Sequence, residues 1–411
     1  MRILFIHQNF PGQFRHLAPA LVRQGWDVTA MTMVRDAPAE WQGVHVVCYQ
    51  VARGSTQGIH PWVGDIETKA IRGDACFREC LKMKAGGYEP EVIVAHPGWG
   101  ESLFVKEVWP NARLGIYCEY FYQHEGADVG FDAEFSATDP IADACRLRMK
   151  NLNSRLHFDI ADSGLSPTRW QASTFPELFH SRITVVHDGI DTDKVAPNPS
   201  TSFSFGDGLS ISRKDEVITF VNRNLEPYRG FHIFMRALPE ILKKRPKARV
   251  LIVGGDGVSY GSSPPAGKSW KELFIAEVRP QMSDNEWSRV HFLGNIPYPR
   301  FVSLLQISTV HVYLTYPFVL SWSLLEAMSA GCAVVAADTQ PVREVIRDGD
   351  TGRLVDFFDL PGLASAVCAL LDDPLQREAL GSRAREFVRE HYDLRRVCLP
   401  GQIAWIEHLV T

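Results

Sequence analysis

The chain has 411 residues, of which 45% are hydrophobic. This length exceeds one ordinary hydrophobic core and predicts two or three globular domains. The formal net charge is only −5, which excludes a basic surface for nucleic acid, so any phosphate ligand has to be held by a local site.

The first residues, MRILFIHQNFPGQF, hold a short apolar run that His7 and Gln8 interrupt. This run is too short and too polar for a signal peptide. Elsewhere the apolar stretches fall short of the ~20 residues that a membrane-spanning helix needs. We therefore expect a cytoplasmic protein. The eight cysteines are scattered, which favours reduced thiols over a disulfide framework.

Strand-like and helix-like segments alternate through the first half of the chain. A strand at RILFIH, an amphipathic helix at QFRHLAPALVRQG and a strand at DVTAMT open the series. Further strands follow at VHVVCY, EVIVAH, RLGIYCEY and ITVVHDG. This alternation is typical of a parallel sheet with helices on both faces. It predicts a first Rossmann-like domain over residues 1–195.

Residues 196–215, APNPSTSFSFGDGLSISRKD, are rich in Ser, Gly, Pro and Asp and show no periodicity. We expect a linker or exposed loop there. The alternation then restarts with EVITFV, the helix FHIFMRALPEILKK and RVLIVGG, which predicts a second Rossmann-like domain over residues 216–392. The predicted fold class is therefore α/β, with two Rossmann-like domains. Because ligands of such sheets bind beyond the carboxyl ends of the strands, we expect the two domains to face a central cleft.

Two arginines follow the first strand of the second half, in VNRNLEPYRG. Arg223 and Arg229 lie around a Pro-Tyr turn, where a guanidinium is poorly placed for a core and well placed for an anion. The planar fork of arginine suits phosphate oxygens. After the next strand, Gly255 and its glycine neighbours either let the backbone approach a ligand or turn tightly.

The stretch YPFVLSWSLLEAMSAG predicts a loop that runs into a helix. Backbone N–H groups around Ser321, Trp322 and Ser323 are expected to form an uncharged anion cradle. Glu326, expected in the first turn of the helix, either accepts two hydroxyl groups of a sugar ring or complements the helix dipole. One ligand explains these residues and both arginines together: a diphosphate in the cradle with a ribose on Glu326.

Two loops of the first half also follow strands. In NFPGQF, Gly12 is either a plain turn residue or the start of a helix whose N–H groups favour an anion. In AHPGWGES, glycines free the backbone, so that His96 and Glu101 are expected to face the cleft. His96 would then contact the acceptor or a sugar. The alternative is a turn residue that is held by its neighbours.

The helix predicted from Gln13 to Arg23 carries Phe14, Leu17 and Leu21 on one side. This pattern fits peripheral contact with the inner face of a membrane that carries a lipid-linked acceptor. An ordinary core-facing helix shows the same pattern.

The motifs RNLEPYRG, FVLSWSLLEAMSAG and ADTQPVREVIRDGDTGRLV resemble those of the retaining glycosyltransferases of family 4. The resemblance covers about residues 216–392 and is weaker over the first half. It implies a GT-B fold and a nucleotide-diphosphate sugar as donor, with no metal or other cofactor. The last stretch, residues 393–411, is similar to the family's final helix, which crosses back to the amino-terminal domain.

The same resemblance implies roles for individual residues. Arg223 and Arg229 would clamp the diphosphate, Glu326 would bind the ribose and Gly12 would contact the phosphates. The backbone from Phe292 to Gly294 would hold the base.

Two positions depart from the family pattern. Where many members have a glutamate that touches the donor sugar, this chain has Phe318. Where many have a histidine in the first half, it has Glu119, with His124 further on. Glu119 is therefore a candidate for orienting the sugar or for acting as a nucleophile, and a partly exposed loop carboxylate is the alternative.

The implied reaction is retaining transfer of a sugar to a hydroxyl acceptor, which can be a glycan, a lipid-linked sugar or a small molecule. As the diphosphate leaves, fixed cations and backbone donors stabilise its growing charge. Two other classes share this outline. One is a sugar-nucleotide epimerase of the same fold, and the other is a non-catalytic sugar-nucleotide-binding subunit, which the phenylalanine at position 318 favours.

Overall fold

The computed structural model describes residues 1–136, 139–206 and 208–410. The chain forms two compact units. The first unit comprises Met1–Gly130, Ala137–Gly189 and Arg395–Thr411, and the second comprises Phe131–Ser136 and Ile190–Leu394. Each unit is built on its own parallel sheet, which confirms the α/β class predicted from the alternation of strands and helices.

The first unit contains an eight-stranded sheet in the order β3-β4-β2-β1-β5-β6-β7-β8. Its strands are β1 (Arg2–Ile6), β2 (Asp27–Thr32), β3 (Glu40–Trp41), β4 (Val44–Cys48), β5 (Val92–Ala95), β6 (Arg113–Tyr117), β7 (Ser163–Ser166) and β8 (Ile183–Val185). All pairs are parallel except that of β3 with β4. The central strand β5 is fully buried along its length, as expected for a parallel strand covered on both faces.

Helices cover both faces of this sheet. They are α1 (Leu17–Arg23), α2 (Pro61–Ala85), α3 (Val105–Val108), α4 (Pro140–Lys150), α5 (Leu152–Ile160), α6 (Arg169–Ser173) and α7 (Glu177–His180). One hydrophobic cluster joins α2, α3 and α5 to the strands. A second cluster joins α1 to the strands and to the last helix of the chain.

The second unit contains a six-stranded parallel sheet in the order β13-β12-β11-β14-β15-β16, together with a two-stranded hairpin of β9 and β10. Its strands are β9 (Ser202–Phe205), β10 (Leu209–Ser212), β11 (Val217–Asn224), β12 (Arg249–Gly255), β13 (Val290–Phe292), β14 (Val310–Tyr313), β15 (Ala333–Ala337) and β16 (Arg353–Val355). Its helices are α8 (Phe231–Lys244), α9 (Trp270–Val278), α10 (Asp284–Trp287), α11 (Tyr298–Ile307), α12 (Trp322–Ser329), α13 (Gln340–Arg343), α14 (Leu360–Asp372) and α15 (Pro374–His391).

The hairpin corrects the expectation of a linker or exposed loop over residues 196–215. Its side chains alternate between apolar and polar, so that Phe203 and Ile211 are buried against β11, β12 and α11. This period of two is the mark of a half-buried strand. The many Ser and Gly residues obscured it in the sequence.

The segment expected as one helix from Gln13 to Arg23 is a short 3-10 helix, Gly12–Arg15, followed by α1. Phe14, Leu17 and Leu21 are at most 2% exposed and pack against the sheet. Their side of the helix is therefore occupied by the core, which removes the basis for the predicted membrane contact. In the described part of the chain, each helix is too short or too polar to span a bilayer.

The last helix, α16 (Leu399–Val410), belongs to the first unit although it follows the second in sequence. Trp405 is 3% exposed and its Nε1 donates to Ser163 Oγ at 2.9 Å. A Cβ on Gly115 of β6 would lie 2.6 Å from this indole ring. The helix therefore rests directly on the strand backbone and closes one face of the sheet.

Replacing Trp405 by Ala is expected to lower the free energy of unfolding of the first unit by about 3–5 kcal/mol, because it leaves a large cavity. Trp405→Phe, which keeps most of the apolar contact and loses the hydrogen bond, is expected to cost about 1 kcal/mol. Urea denaturation measures both losses. Leu178→Ala is the control, since Leu178 is 66% exposed, and a loss as large as that of Trp405→Ala would contradict this packing.

Candidate functional site

The predicted donor residues lie in one row at the carboxyl edge of the second sheet. Strands β13, β12, β11 and β14 are consecutive neighbours in this sheet. Gly294 follows β13, Gly255 ends β12, Arg223 lies near the end of β11, and the loop to Ser321 follows β14. Neighbouring strands lie about 4.8 Å apart, so the topology gathers these residues from separate parts of the sequence.

Arg229 is buried and fastens the loop after β11 to the loop after β14. Its Nη1 donates to Thr315 Oγ1 at 2.8 Å and to the carbonyl oxygen of Val319 at 3.0 Å. The guanidinium carbon lies 5.1 Å from the ring centre of Tyr260 and 5.8 Å from that of Phe318, within the range of cation–π attraction. The predicted clamp residue is thus held by the protein itself.

The two loops also approach each other at Gly230. This residue has φ +68°, and a Cβ on it would lie 2.3 Å from the Cβ of Leu314. Only glycine meets both conditions. Arg229 and Gly230 therefore both support the contact between the two loops. The arginine does so through its hydrogen bonds, and the glycine does so because it has no side chain.

Arg223 differs from Arg229 in its exposure and in its contacts. Its side chain is exposed, and within the described part of the chain it makes no hydrogen bond or ion pair. A guanidinium at the end of a strand, without a protein anion beside it, is available to a ligand. The sequence predicted equivalent roles for the two arginines, and the structure separates them.

The loop before α12 is capped by its own side chains. Ser321 is the N-cap residue, and its Oγ accepts from the N–H of Ser323 at 3.3 Å. The N–H of Ser321 donates to the hydroxyl of Tyr313 at 3.1 Å. Two N–H groups of the predicted anion cradle, which includes Trp322, are therefore already satisfied. An anion would have to displace these bonds.

Glu326 lies one turn further into α12 than predicted. The helix begins at Trp322, and its first turn contains no acidic residue. An interaction with the helix dipole therefore explains Glu326 less well, because this interaction falls off within the first turn. Glu326 is 9% exposed, and its Oε1 accepts from the hydroxyl of Tyr298 at 2.7 Å.

A second carboxylate organises the loop after β12. Glu226 is 1% exposed and accepts from the N–H groups of Ser259, Tyr260 and Gly261 at 3.2–3.3 Å. Consecutive backbone donors of this kind form an anion-binding nest. Here the anion is the protein's own glutamate, and the result is that the Tyr260 ring is held beside Arg229.

His96 and Glu101 of the first unit are 2% and 1% exposed, which for His96 favours the alternative of a turn residue held by its neighbours. The imidazole of His96 is stacked between the rings of Trp99 and Tyr117, at centroid distances of 4.6 and 5.3 Å. Burial raises the pKa of the Glu101 carboxyl. Both residues are therefore part of the interior beneath the carboxyl edge of the sheet.

Glu119 is the exposed member of this group, with a side chain 39% accessible. Its Oε2 lies 3.6 Å from His96 Nε2, and its Oε1 accepts from Gln13 Nε2 at 3.4 Å. The other end of Gln13 contacts His7 Nε2 at 2.8 Å. Side chains from the ends of β1, β5 and β6 thus meet at one carboxylate.

His7 was not singled out in the sequence, although it directly follows β1. Its Nδ1 accepts from the N–H of Asn9 at 3.0 Å, so the ring proton lies on Nε2 and is donated to Gln13. Burial, followed by the charge of His96, lowers the pKa of His7 to about 3. The ring is therefore neutral at neutral pH. Because its Nε2 donates to Gln13 Oε1, the Nε2 group of Gln13 is the one that donates to Glu119.

Gly12 has φ +47°, and a Cβ on it would lie 2.3 Å from His7 Nε2. A glycine is thus required at position 12 by the packing of the His7 ring as well as by the positive φ angle. The predicted contact of Gly12 with phosphate remains a prediction.

A polar cluster in the second unit has the composition of a metal site. Ligand atoms of Asp132, Glu134 and His232 lie within 4.8 Å of one another. Asp132, however, already accepts from His232 and from Tyr316. Both oxygens of Glu134 accept from Arg236, which lowers the pKa of Glu134. These residues satisfy one another, so the donor set fits a structural network better than an ion.

Replacing Arg229 by Ala is expected to lower the free energy of unfolding by about 2–4 kcal/mol, because the buried hydroxyl of Thr315 and the carbonyl of Val319 lose their donor. Arg223→Ala is the matched control and is expected to stay within about 0.5 kcal/mol of the native protein, since the side chain is exposed. Chemical denaturation without ligand measures both values. Equal stability of the two variants would contradict the separation of their roles.

Two family models match this chain, one in each half. The model for the glycosyl transferase family 4 group matches residues 24–195, and the model for glycosyl transferases group 1 matches residues 207–387. Together these two models cover most of the chain, which therefore belongs to the glycosyltransferases. The resemblance seen in the motifs is thereby confirmed.

Curated relatives of this glycosyltransferase match over about half of the chain. A phosphatidyl-myo-inositol mannosyltransferase of Mycolicibacterium smegmatis is 30% identical over 228 residues, 54% of this chain and 50% of the relative. A D-inositol 3-phosphate glycosyltransferase of Nocardia farcinica is 29% identical over 229 residues, 54% of this chain and 48% of the relative. The match thus spans about half the length of these relatives.

Solved structures match over the whole chain. Anabaena Alr3699/HepE in complex with UDP and glucose has a TM-score of 0.67 at 16% identity, covering 99% of both chains. Sucrose-phosphate synthase of Thermosynechococcus elongatus has a TM-score of 0.72 at 16% identity, covering 100% of both. At this identity the likeness shows the fold alone, and that fold is GT-B.

Proposed function

We propose that this glycosyltransferase moves a sugar from a nucleotide-diphosphate sugar to a hydroxyl acceptor, with retention of configuration and without a metal ion. One observation carries the proposal. An exposed guanidinium and a buried, oriented carboxylate come from segments at the carboxyl ends of adjacent strands, since Arg223 is the next-to-last residue of β11 and Glu326 lies in α12, the helix that follows β14. A diphosphate next to a ribose presents the complementary groups, an anion beside two hydroxyls.

In this proposal Arg223 binds the diphosphate and Glu326 binds the ribose. Tyr298 donates to one oxygen of Glu326 and so fixes the orientation of the carboxylate before the ligand arrives. Arg229 holds the loop that carries the cap of α12, which makes it a positioning residue. Gly255 ends the next strand of the same edge and Gly294 follows the one after it, so that their backbone can approach the nucleotide base.

The names of the relatives support this donor class. HepE was crystallised with UDP and glucose, and the curated relatives are named as a mannosyltransferase and glycosyltransferases. The chemistry needs no metal if arginine and backbone donors supply the charge that stabilises the departing diphosphate. The carboxylates of the Asp132 cluster are already paired, which agrees with this assignment.

The first unit supplies the acceptor side of the proposal. Glu119 offers the exposed carboxylate of that unit's network, and Gln13 fixes its position. Such a carboxylate is suited to accept a hydrogen bond from a sugar hydroxyl or to act as a nucleophile in a retaining reaction. His96 acts behind it, since its ring is buried and only its Nε2 is directed to Glu119.

Proton NMR of the protein with UDP-, GDP- and ADP-sugars, with and without sugar acceptors, tests the proposal. We expect nucleoside diphosphate to appear in step with a new glycoside whose anomeric configuration equals that of the donor. Addition of EDTA is expected to leave the rate unchanged. Arg223→Ala is expected to reduce the rate about 100-fold, since loss of one such donor costs ~3 kcal/mol.

Three other outcomes contradict the proposal. A changed sugar that stays on its nucleotide indicates an epimerase, and tight donor binding without turnover indicates a non-catalytic subunit. An inverted product excludes the retaining reaction.

A further inference from the structure

A cavity of about 690 Å³ lies in the first unit, between the segment that follows β4 and one side of helix α2. Its strand side is formed by residues 48–50, 52 and 53. Its helix side is formed by residues of α2 that recur at intervals of three and one, from Glu67 to Lys82. This spacing is a single helix face. The volume falls in the range of ~300–1,000 Å³ that is usual for small-molecule sites.

The charged side chains that line the cavity are balanced in pairs. Arg53 contacts Glu67 at 3.3 Å. On the helix, Arg78 contacts Asp74 at 2.9 Å, and Lys82 contacts Glu79 at 2.7 Å. Each cation is thus paired with its own anion, which leaves the lining without net charge.

The rest of the lining is uncharged. Cys48, Tyr49 and Gln50 line the strand side, while Ala70, Ile71 and Ala75 form an apolar strip on the helix. Hydrogen bonds from Thr56 lower the pKa of Glu67, so this carboxylate is purely an acceptor. Alternating donors and acceptors around an apolar strip suit a ligand with many uncharged hydroxyls and apolar C–H faces.

The topology relates the cavity to the Glu119 network. Strands β4, β2, β1, β5 and β6 are consecutive and parallel, so the residues after β4 emerge at the same edge as His7, His96 and Glu119. At about 4.8 Å per strand, β4 is about 10 Å from β1 and about 19 Å from β6. A ligand that joins the two places has to be longer than one sugar ring.

We propose that this cavity binds the neutral oligosaccharide part of the acceptor, a few sugar rings away from the reacting hydroxyl. This inference rests on the proposed function for its link to transfer, and the binding itself is a property of the first unit alone. The lining carries no net charge, because each of its cations is already paired with an anion. Sugars that carry a uronate or a phosphate group are therefore not the preferred ligands of this cavity.

The test compares two exposed alanines of the same helix in the full-length protein. Ala70→Trp fills the cavity, and Ala85→Trp places the same ring on α2 outside its lining. Binding is measured on an array of neutral, uronate-containing and phosphorylated oligosaccharides, followed by calorimetry with the best neutral probe. We expect Ala70→Trp to weaken that binding at least 10-fold and Ala85→Trp to leave it unchanged.

A second variant, Asp74→Ala, removes an acceptor without filling the cavity and is expected to weaken binding several-fold. Equal affinity of Ala70→Trp and the native protein overturns the proposal. So does binding of charged oligosaccharides alone, or of none. Because this readout is binding, failure of the cavity is distinguishable from failure of sugar transfer, which would show as absent nucleotide release with unaltered oligosaccharide binding.

Discussion

The buried guanidinium of Arg229 is the interaction on which the second unit's site depends. It bonds the loop after β14 to the loop after β11 through Thr315 and Val319, and the rings of Tyr260 and Phe318 enclose it. Strands of a parallel sheet bring such loops near each other, but they do not fix the loops' conformation. The arginine and the close approach at Gly230 supply that fixation.

The same division between holding and binding groups recurs in the first unit. His7, Gln13 and His96 are mainly oriented by the protein, whereas Glu119 is the group that reaches solvent. In the first unit buried polar partners thus hold an accessible carboxylate, whereas in the second unit buried contacts hold loops at the same sheet edge as the accessible Arg223. Preorganisation of this kind lowers the cost of binding, because side chains need not be ordered when the ligand arrives.

The sequence predicted the fold well because the alternation of strands and helices is long and regular, and the glycosyltransferase motifs lie at strand ends. It failed where one composition permits two structures. Residues 202–212 were obscured by Ser and Gly, and the apolar side of the segment from Gln13 to Arg23 looks the same whether a membrane or a sheet covers it. Spacing alone also could not distinguish the buried Arg229 from the exposed Arg223, since their difference arises from contacts with residues about 90 positions away.

Calorimetry with a nucleoside diphosphate and a nucleoside monophosphate, in the native protein and in Arg223→Ala, measures directly whether Arg223 binds the diphosphate. If Arg223 binds the diphosphate, the native protein prefers the diphosphate clearly, and most of that preference disappears in the variant while its folding stability is unchanged. An undiminished preference for the diphosphate in Arg223→Ala would contradict the assignment of this strand edge as the donor site.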